Sequence, residues 1–308
     1  MATETKSVES ILRIVDFVSH LPDFRGSVVE IVDGGVSTAV YRLKRDNEVF
    51  YLRLGDIGGN MSCEALAHKL MLEKGVSVPK VIQFEDANPF LGRSFMITSE
   101  IQGVRTDKDV HSSTGIIVEA GRQLALINSI SVERFGWIDR SEMNVKKLSG
   151  TFGTWEEFAL DLNNIHSQLS SLAKTNAITP DMVKKVITYI EANRGLISCP
   201  QAFLSHGDFD VTHIFSVNGK YSGIIDFGDI RCCSPYHDLA HFYTYSRKQF
   251  DNLLKGFLEV SKLEDHLPEK IKFEALLFGI GKLWYTIEHF PEKFNSNHPA
   301  MSLITNIV

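Results

Sequence analysis

Two short turns carry the residues whose types and spacing suit chemistry: His206-Gly207-Asp208 and Asp226-Phe227-Gly228-Asp229, with His213 between them. The run joining them reads strand, Asn218-Gly219, strand, and Asn-Gly between two apolar runs signals a tight hairpin. A hairpin brings its outer ends together, so Asp208, His213 and Asp226 can converge despite their separation in sequence. Two acids and an imidazole in one place are enough to hold a divalent ion and position a hydroxyl. Each residue alone has a plainer role. Aspartate is a standard turn residue, and His206 suits a hydrogen-bonded structural histidine. Asp229 suits a solvated or structural carboxylate, and Asp238 a helix start favoured by the helix dipole. The ordered set, rather than any one member, carries the functional reading.

These turns need a scaffold to hold them. The runs "SVVEIVDGG", "VSTAVYRLKR" and "EVFYLRLG", with a turn at Asp46-Asn47, predict antiparallel strands. "SCEALAHKLMLEKG" predicts a helix capped by Ser62, with Leu66 and Leu70 on one face and Gly75 closing it. "VSVPKVIQFED" and "RSFMITSEIQG" add two strands. After Gly103 apolar residues recur three and four apart in "TGIIVEAGRQLALINSI", "TWEEFALDLNNIHSQLSSLA" and "TPDMVKKVITYIEANRG". In the last of these, Thr179 and Pro180 start the helix and Gly195 stops it. "YHDLAHFYTYSRKQFDNLLKGFLEV" and "PEKIKFEALLFGIGKLWYTIEHF" also read as helices, and helical spacing assigns Trp284 and Tyr285 to the core. The expected fold class is α+β: a small antiparallel β-sheet lobe over 1–103, a larger helical lobe over 104–308, and a cleft between them where ligands bind.

Composition narrows the partners. A chain of 308 residues with 44% hydrophobic and 23% charged residues can bury a substantial core. A net charge of −6 argues against nucleic-acid binding by phosphate neutralisation. No apolar run approaches the ~20 residues of a membrane span. The N-terminal "MATETKSVESILRIVDF" lacks a basic region followed by an apolar one. Cys63, Cys199, Cys232 and Cys233 show no metal or framework spacing, so reduced thiols and a cytoplasmic setting are expected.

Taken in order, the motifs resemble the catalytic segment of the aminoglycoside phosphotransferases and related small-molecule kinases, which have the protein-kinase-like fold. The residues that match are His206-Gly207-Asp208, a metal-position residue five further on at His213, Ile225-Asp226-Phe227-Gly228, and Asp238-Leu239-Ala240. The resemblance implies that Asp208 orients the acceptor hydroxyl and takes its proton. It implies that His213 and Asp226 hold Mg²⁺ against nucleotide phosphates, that His206 braces the loop, and that Asp238 anchors it. Histidine replaces the commoner asparagine at 213, as in the aminoglycoside 2″-phosphotransferase and macrolide phosphotransferase subsets. In the first lobe, "DGGVSTAVYRL" would cover the phosphates, Gly34 and Gly35 allowing close approach and Ser37 and Thr38 donating. Arg53 stands where the family has lysine, with Glu64 as its bracing acid and Lys44 as a substitute cation. The backbone around Thr98 to Ile101, including Ser99, would pair with the base edge, which leaves ATP and GTP undistinguished.

The expected activity is Mg²⁺-dependent transfer of the γ-phosphate of ATP or GTP to a small-molecule hydroxyl, with an aminoglycoside antibiotic favoured as acceptor. Glu156, Glu157, Asp161, Glu288 and Glu292 are candidates for binding its amines, against the plainer reading of solvated helix faces. The family also holds kinases of choline, homoserine, fructosamines and macrolides, so another metabolite is the alternative acceptor. A nucleotide-binding pseudokinase is the rival of a different class, favoured by Arg53 and His213 and opposed by the retention of Asp208 and Asp226. A protein kinase is disfavoured because "SPYHDLA" follows Gly228 within a few residues. Oligomeric state is not legible.

Overall fold

The structure is a computed structural model and describes residues 11–32, 39–56, 60–109, 114–160, 162–262, 264–295 and 297–306. The elements of the first lobe are α1 (Ile11–Ser19), β1 (Val28–Ile31), β2 (Ala39–Arg45), β3 (Glu48–Leu54), α2 (Ser62–Glu73), β4 (Val81–Asn88) and β5 (Arg93–Ser99). The five strands form one antiparallel sheet in the order β1-β2-β3-β5-β4. Strand periodicity decides what each face does. Leu52 and Leu54 of β3 join Tyr41, Leu43, Phe95 and Ile97 against Ile14, Phe17 and Val18 of α1. Arg53, between those two leucines, therefore points to the other face. The reading of the N-terminus gave no helix at α1, although its apolar residues recur at helical spacing.

β6 (Val104–Arg105) leads into α3 (Thr114–Ile127), β7 (Ser131–Val132), β8 (Phe135–Ile138), β9 (Gly150–Phe152), α4 (Trp155–Leu160), α5 (Leu162–Lys174) and α6 (Pro180–Ala192). β10 (Ala202–Ser205), β11 (Ile214–Val217), β12 (Lys220–Ile224) and β13 (Arg231–Cys233) follow. α7 (His237–Tyr245), α8 (Phe250–Val260), α9 (Leu267–His289) and α10 (Pro299–Thr305) complete the chain. Thr179 caps α6 as expected, accepting from Met182 N at 3.2 Å. The Asn218-Gly219 turn joins β11 to β12, with φ of 50° and 71°.

Three expectations about elements are corrected. Ser62 is the first residue of α2 rather than its cap; its hydroxyl bonds Asp86, and Asn60 Oδ1 accepts the Ser62 N–H at 3.2 Å. The segment read as a single helix over 236–260 is broken in two at 246–249, while that over 154–173 is helical on both sides of Asp161, which lies outside the described residues. Finally, the second lobe is not helices plus one hairpin. It holds a five-stranded sheet in the order β7-β10-β13-β8-β9, and a three-stranded sheet in which β6 pairs with the β11–β12 hairpin.

Candidate active site

The five-stranded sheet brings the two turns together. Ser205 at the end of β10 pairs with Arg231 at the start of β13, so the loop after one strand lies beside the loop before the other. Gly207 makes the contact possible. Its φ is +85°, and a Cβ there would overlap the carbonyl of Asp229.

Asp238, fully buried at the start of α7, fixes the first loop with four bonds. Its Oδ1 accepts from Ser205 Oγ at 2.7 Å and Gly207 N at 2.9 Å. Its Oδ2 accepts from His206 N at 2.8 Å and Asn128 Nδ2 at 2.9 Å. Burial alone would raise this carboxyl; the neighbouring histidines and these donors prevail and hold it below its ordinary value. His206 is fully buried, donates from Nε2 to Ile225 O at 2.9 Å and accepts the Asp208 N–H on Nδ1 at 3.3 Å. Those two bonds require the neutral ring, and burial lowers its affinity for a second proton. Phe227, also buried, lies 4.8 Å from His206 and 5.1 Å from His68 of α2, centroid to centroid. It ties the second turn to both lobes.

Asp208 opens into the cavity between these loops and α9. His241 Nε2 lies 2.9 Å from its Oδ1, and His241 Nδ1 lies 2.9 Å from Phe209 O. Both of those oxygens only accept, so each ring nitrogen faces an acceptor and the ring is held between them. Lys282 Nζ stands 3.9 Å from the same Oδ1. Burial pushes the Asp208 carboxyl up, but the His241 bond and the positive groups beside it, Lys282 among them, outweigh it, holding the group well below the usual carboxylate range. Asp208 is thus an ionised carboxylate with one oxygen clamped.

His213 donates from Nδ1 to Asp208 O at 2.7 Å, which leaves Nε2 bare and 3.7 Å from Asp226 Oδ2. A backbone carbonyl on one ring nitrogen is the usual way to aim the other at a metal. Asp226 adopts the left-handed region with φ of 69°, and its side chain is 57% exposed. Among the described residues no group of three or more His, Cys, Asp or Glu is arranged to hold a metal. The pair fits Mg²⁺ nonetheless, because that ion commonly takes one or two protein ligands and completes its shell with phosphate oxygens and water.

On the sheet side, Arg53 Nη1 pairs with Glu64 Oε2 at 3.0 Å, and Arg140 Nη1 pairs with Glu64 Oε1 at 3.0 Å. Arg140 also donates to Gly228 O at 2.9 Å, and a Cβ on Gly228 would come within 3.4 Å of the Arg53 guanidinium. Arg53 and its brace therefore reach the second turn. Lys44 is spent on Glu30 at 2.8 Å and is no substitute. The Ser99 N–H already bonds Lys80 O at 2.8 Å and the Glu100 N–H bonds Val49 O at 3.3 Å. Ile101 N–H has no such commitment among the described residues. Gly34, Gly35, Ser37, Thr38 and Asp161 lie outside the described residues.

The acceptor candidates among the described residues are not brought to the cavity. Glu156 pairs with Arg194 at 2.5 Å, and Glu157 accepts from Gly153 N and Thr154 N at 3.0 and 3.1 Å, closing the start of α4. Glu288 and Glu292 are exposed and line no part of it. Trp284, assigned from sequence to the core, does pack against it and also forms part of the cavity wall, whereas Tyr285, given the same assignment, is 48% exposed and belongs to the wall. Sequence reasoning missed His241, Lys282 and Arg140. For His241 a signal was present: it follows Asp238 by three, so the two share a face of α7.

A two-lobe fold with this pair of loops defines a protein-kinase-like phosphotransferase. Residues 28–270 match the family model described as APH, phosphotransferase enzyme family, and the chain belongs to that family and is a phosphotransferase. It is 24% identical to an aminoglycoside 3′-phosphotransferase from Enterococcus faecalis over 267 residues, covering 81% of this chain and 91% of that one. Solved structures share the fold at low identity. A thermostable mutant of APH(4)-Ia, in a ternary complex with AMP-PNP and hygromycin B, superposes with a TM-score of 0.69 at 13% identity over 96% of this chain and 97% of its own. A choline/ethanolamine kinase family protein from Mesorhizobium loti gives 0.63 at 13% identity over 96% and 93%.

Proposed function

We propose that the chain transfers the γ-phosphate of ATP or GTP to a hydroxyl of a small molecule, with Asp208 as the general base. The observation that carries this is the clamped carboxylate: Asp208 held at Oδ1 by His241 beside the His213–Asp226 pair. The acceptor oxygen bonds to phosphorus as the β,γ-bridging bond breaks. Its proton goes to Asp208 and the nucleoside diphosphate leaves. A carboxylate of low basicity suffices, because proton transfer comes late in a loose transition state and alignment dominates. His206 and Asp238 keep the loop in place without touching substrate. His213 and Asp226 would hold Mg²⁺, which when bound neutralises charge on the phosphoryl oxygens.

Arg53, braced by Glu64, would face the nucleotide phosphates, with Gly35, Ser37 and Thr38 covering them. Ile101 N–H, rather than Ser99, would meet the base edge. Residues 1–103 would then serve as the nucleotide lobe and 104–308 as the catalytic and acceptor lobe. An aminoglycoside is the acceptor that the family resemblance favours; the cavity lining favours the other reading, a less charged alcohol. The test is Asp208→Asn. Nucleotide-dependent phosphorylation falls about 10³-fold or more, and activity retained within about tenfold removes the general-base role.

A further inference from the structure

We infer that the acceptor end of the cavity takes an uncharged alcohol carried on a flat apolar frame, and rejects polycations. This rests on the phosphotransferase reading above and narrows it to an acceptor class. The cavity holds about 910 Å³. Its acceptor walls are the rings of Trp137, Phe158, Phe278, Trp284 and Tyr285. Rings alone do not decide the matter, since aromatic faces also attract cations. Here two of those faces are already taken: the Arg231 guanidinium sits 4.0 Å over Trp137, and Lys282 Nζ lies 5.5 Å from Phe278.

The charges agree with that reading. Among the described residues, the carboxylates facing inward apart from Asp208 and Asp226 are Asp229 and Glu274. Asp229 is bound to Arg231 at 3.1 Å. Glu274, 4% exposed on the floor, is pushed by burial up to about 8, above the opposing pull of Ser234, and so is a neutral acid at pH 7. A molecule with several ammonium groups would lose its hydration beside Arg231 and Lys282, and beyond Asp208 and Asp226 no uncommitted carboxylate among the described residues compensates. The floor also offers an uncharged polar atom. His237 Nε2 has no hydrogen-bond partner among the described residues, and its side chain is at least nine-tenths buried and lines the cavity. Burial keeps His237 neutral by lowering it to about 3. This atom matches a hydroxyl or carbonyl substituent at the inner end of an apolar ring system.

Isothermal calorimetry with 2-naphthalenemethanol and kanamycin, each titrated into the full chain, tests this. Saturable binding of the naphthyl alcohol is expected, weakened at least tenfold by Trp284→Ala. Tyr285→Ala, at a 48% exposed position, repeats the measurement where the fold is not at stake. Kanamycin is expected to give no saturable heat at the same concentrations. Tighter binding by kanamycin overturns the inference, as does naphthyl-alcohol binding that is absent or indifferent to both wall variants. Basal nucleotide hydrolysis, compared between the parent chain and Asp208→Asn, reports on the phosphotransferase reading separately. If hydrolysis depends on Asp208 while the naphthyl alcohol fails to bind, only the acceptor class falls; if the variant hydrolyses nucleotide as fast as the parent, the phosphotransferase reading falls.

Discussion

His241 is 1% exposed, yet its ring spans the backbone of Phe209 and the carboxylate of Asp208. A buried ring between two good acceptors is held in one orientation, so its value lies in fixing where the free oxygen of Asp208 points. His241→Asn keeps one amide donor but loses the second contact. A fall in kcat of about 10–100-fold is expected, with KM for nucleotide within about twofold; equal loss in both would mean a general collapse of the loop. Glu274 makes a different prediction. Unfolded, it ionises near its ordinary 4.5; folded, burial holds its proton to about 8. Between those values the native state binds the extra proton, so stability falls as pH rises, by up to about 1.4 kcal/mol per unit. Asp208 and Asp238 act at the other end, because their depressed values give stability that is lost only as pH falls below the ordinary carboxylate range. In thermal melts at pH 5, 6.5 and 8, Glu274→Gln should gain on the parent as pH rises. A constant difference would show that Glu274 is already ionised.

The elements explain what the sequence revealed and what it hid. The hairpin was legible because Asn218-Gly219 is a local signal and its strands are adjacent in the chain. The second sheet was not, since β7, β10 and β13 are two to four residues long and pair across distant segments. Such strands are too short to show alternation. A helix face misled in the same region: Trp284 packs on the core as its spacing suggests, but α9 turns Glu274, Phe278, Lys282 and Tyr285 to the cavity at intervals of three and four. The acids of 156 and 157 were candidates by charge alone, and a helix start and Arg194 consume them. Packing between α3 and α8 gives a prediction of its own. A Cβ at Gly256 would overlap the backbone of Val118, and one at Gly121 the backbone of Leu253. Gly256→Ala should cost about 2–4 kcal/mol in urea unfolding. Gly195→Ala, with open space around it, should change stability by less than about 1 kcal/mol. Equal effects would place α3 and α8 farther apart.

At the scale of the whole molecule, two lobes must agree on where the phosphates sit. The hydrophobic cores are separate, one under the first sheet and one spanning the second lobe together with α2. Apolar packing crosses between the lobes only through α2 and its neighbourhood among the described residues, so polar contacts at the cleft share in setting the alignment. Glu64 of α2, 4% exposed, is gripped from one side by Arg53 of β3 and from the other by Arg140, which also holds Gly228 O. Arg140 thus bridges the sheet lobe and the loop carrying Asp226. With Arg140→Met, Glu64 keeps only Arg53, and that guanidinium is drawn more fully to the carboxylate and away from phosphate. The global fold should survive, because Met fills much of the same volume and Glu64 retains a partner. The expected outcome is a rise of about 5–20-fold in KM for nucleotide with a melting temperature within a few degrees of the parent. Hydrogen exchange should quicken in α2 and at residues 226–229 while the α3–α8 pair stays protected. An unchanged KM with unchanged exchange in α2 would show that the lobes are aligned by packing alone, and that Arg140 is a surface contact.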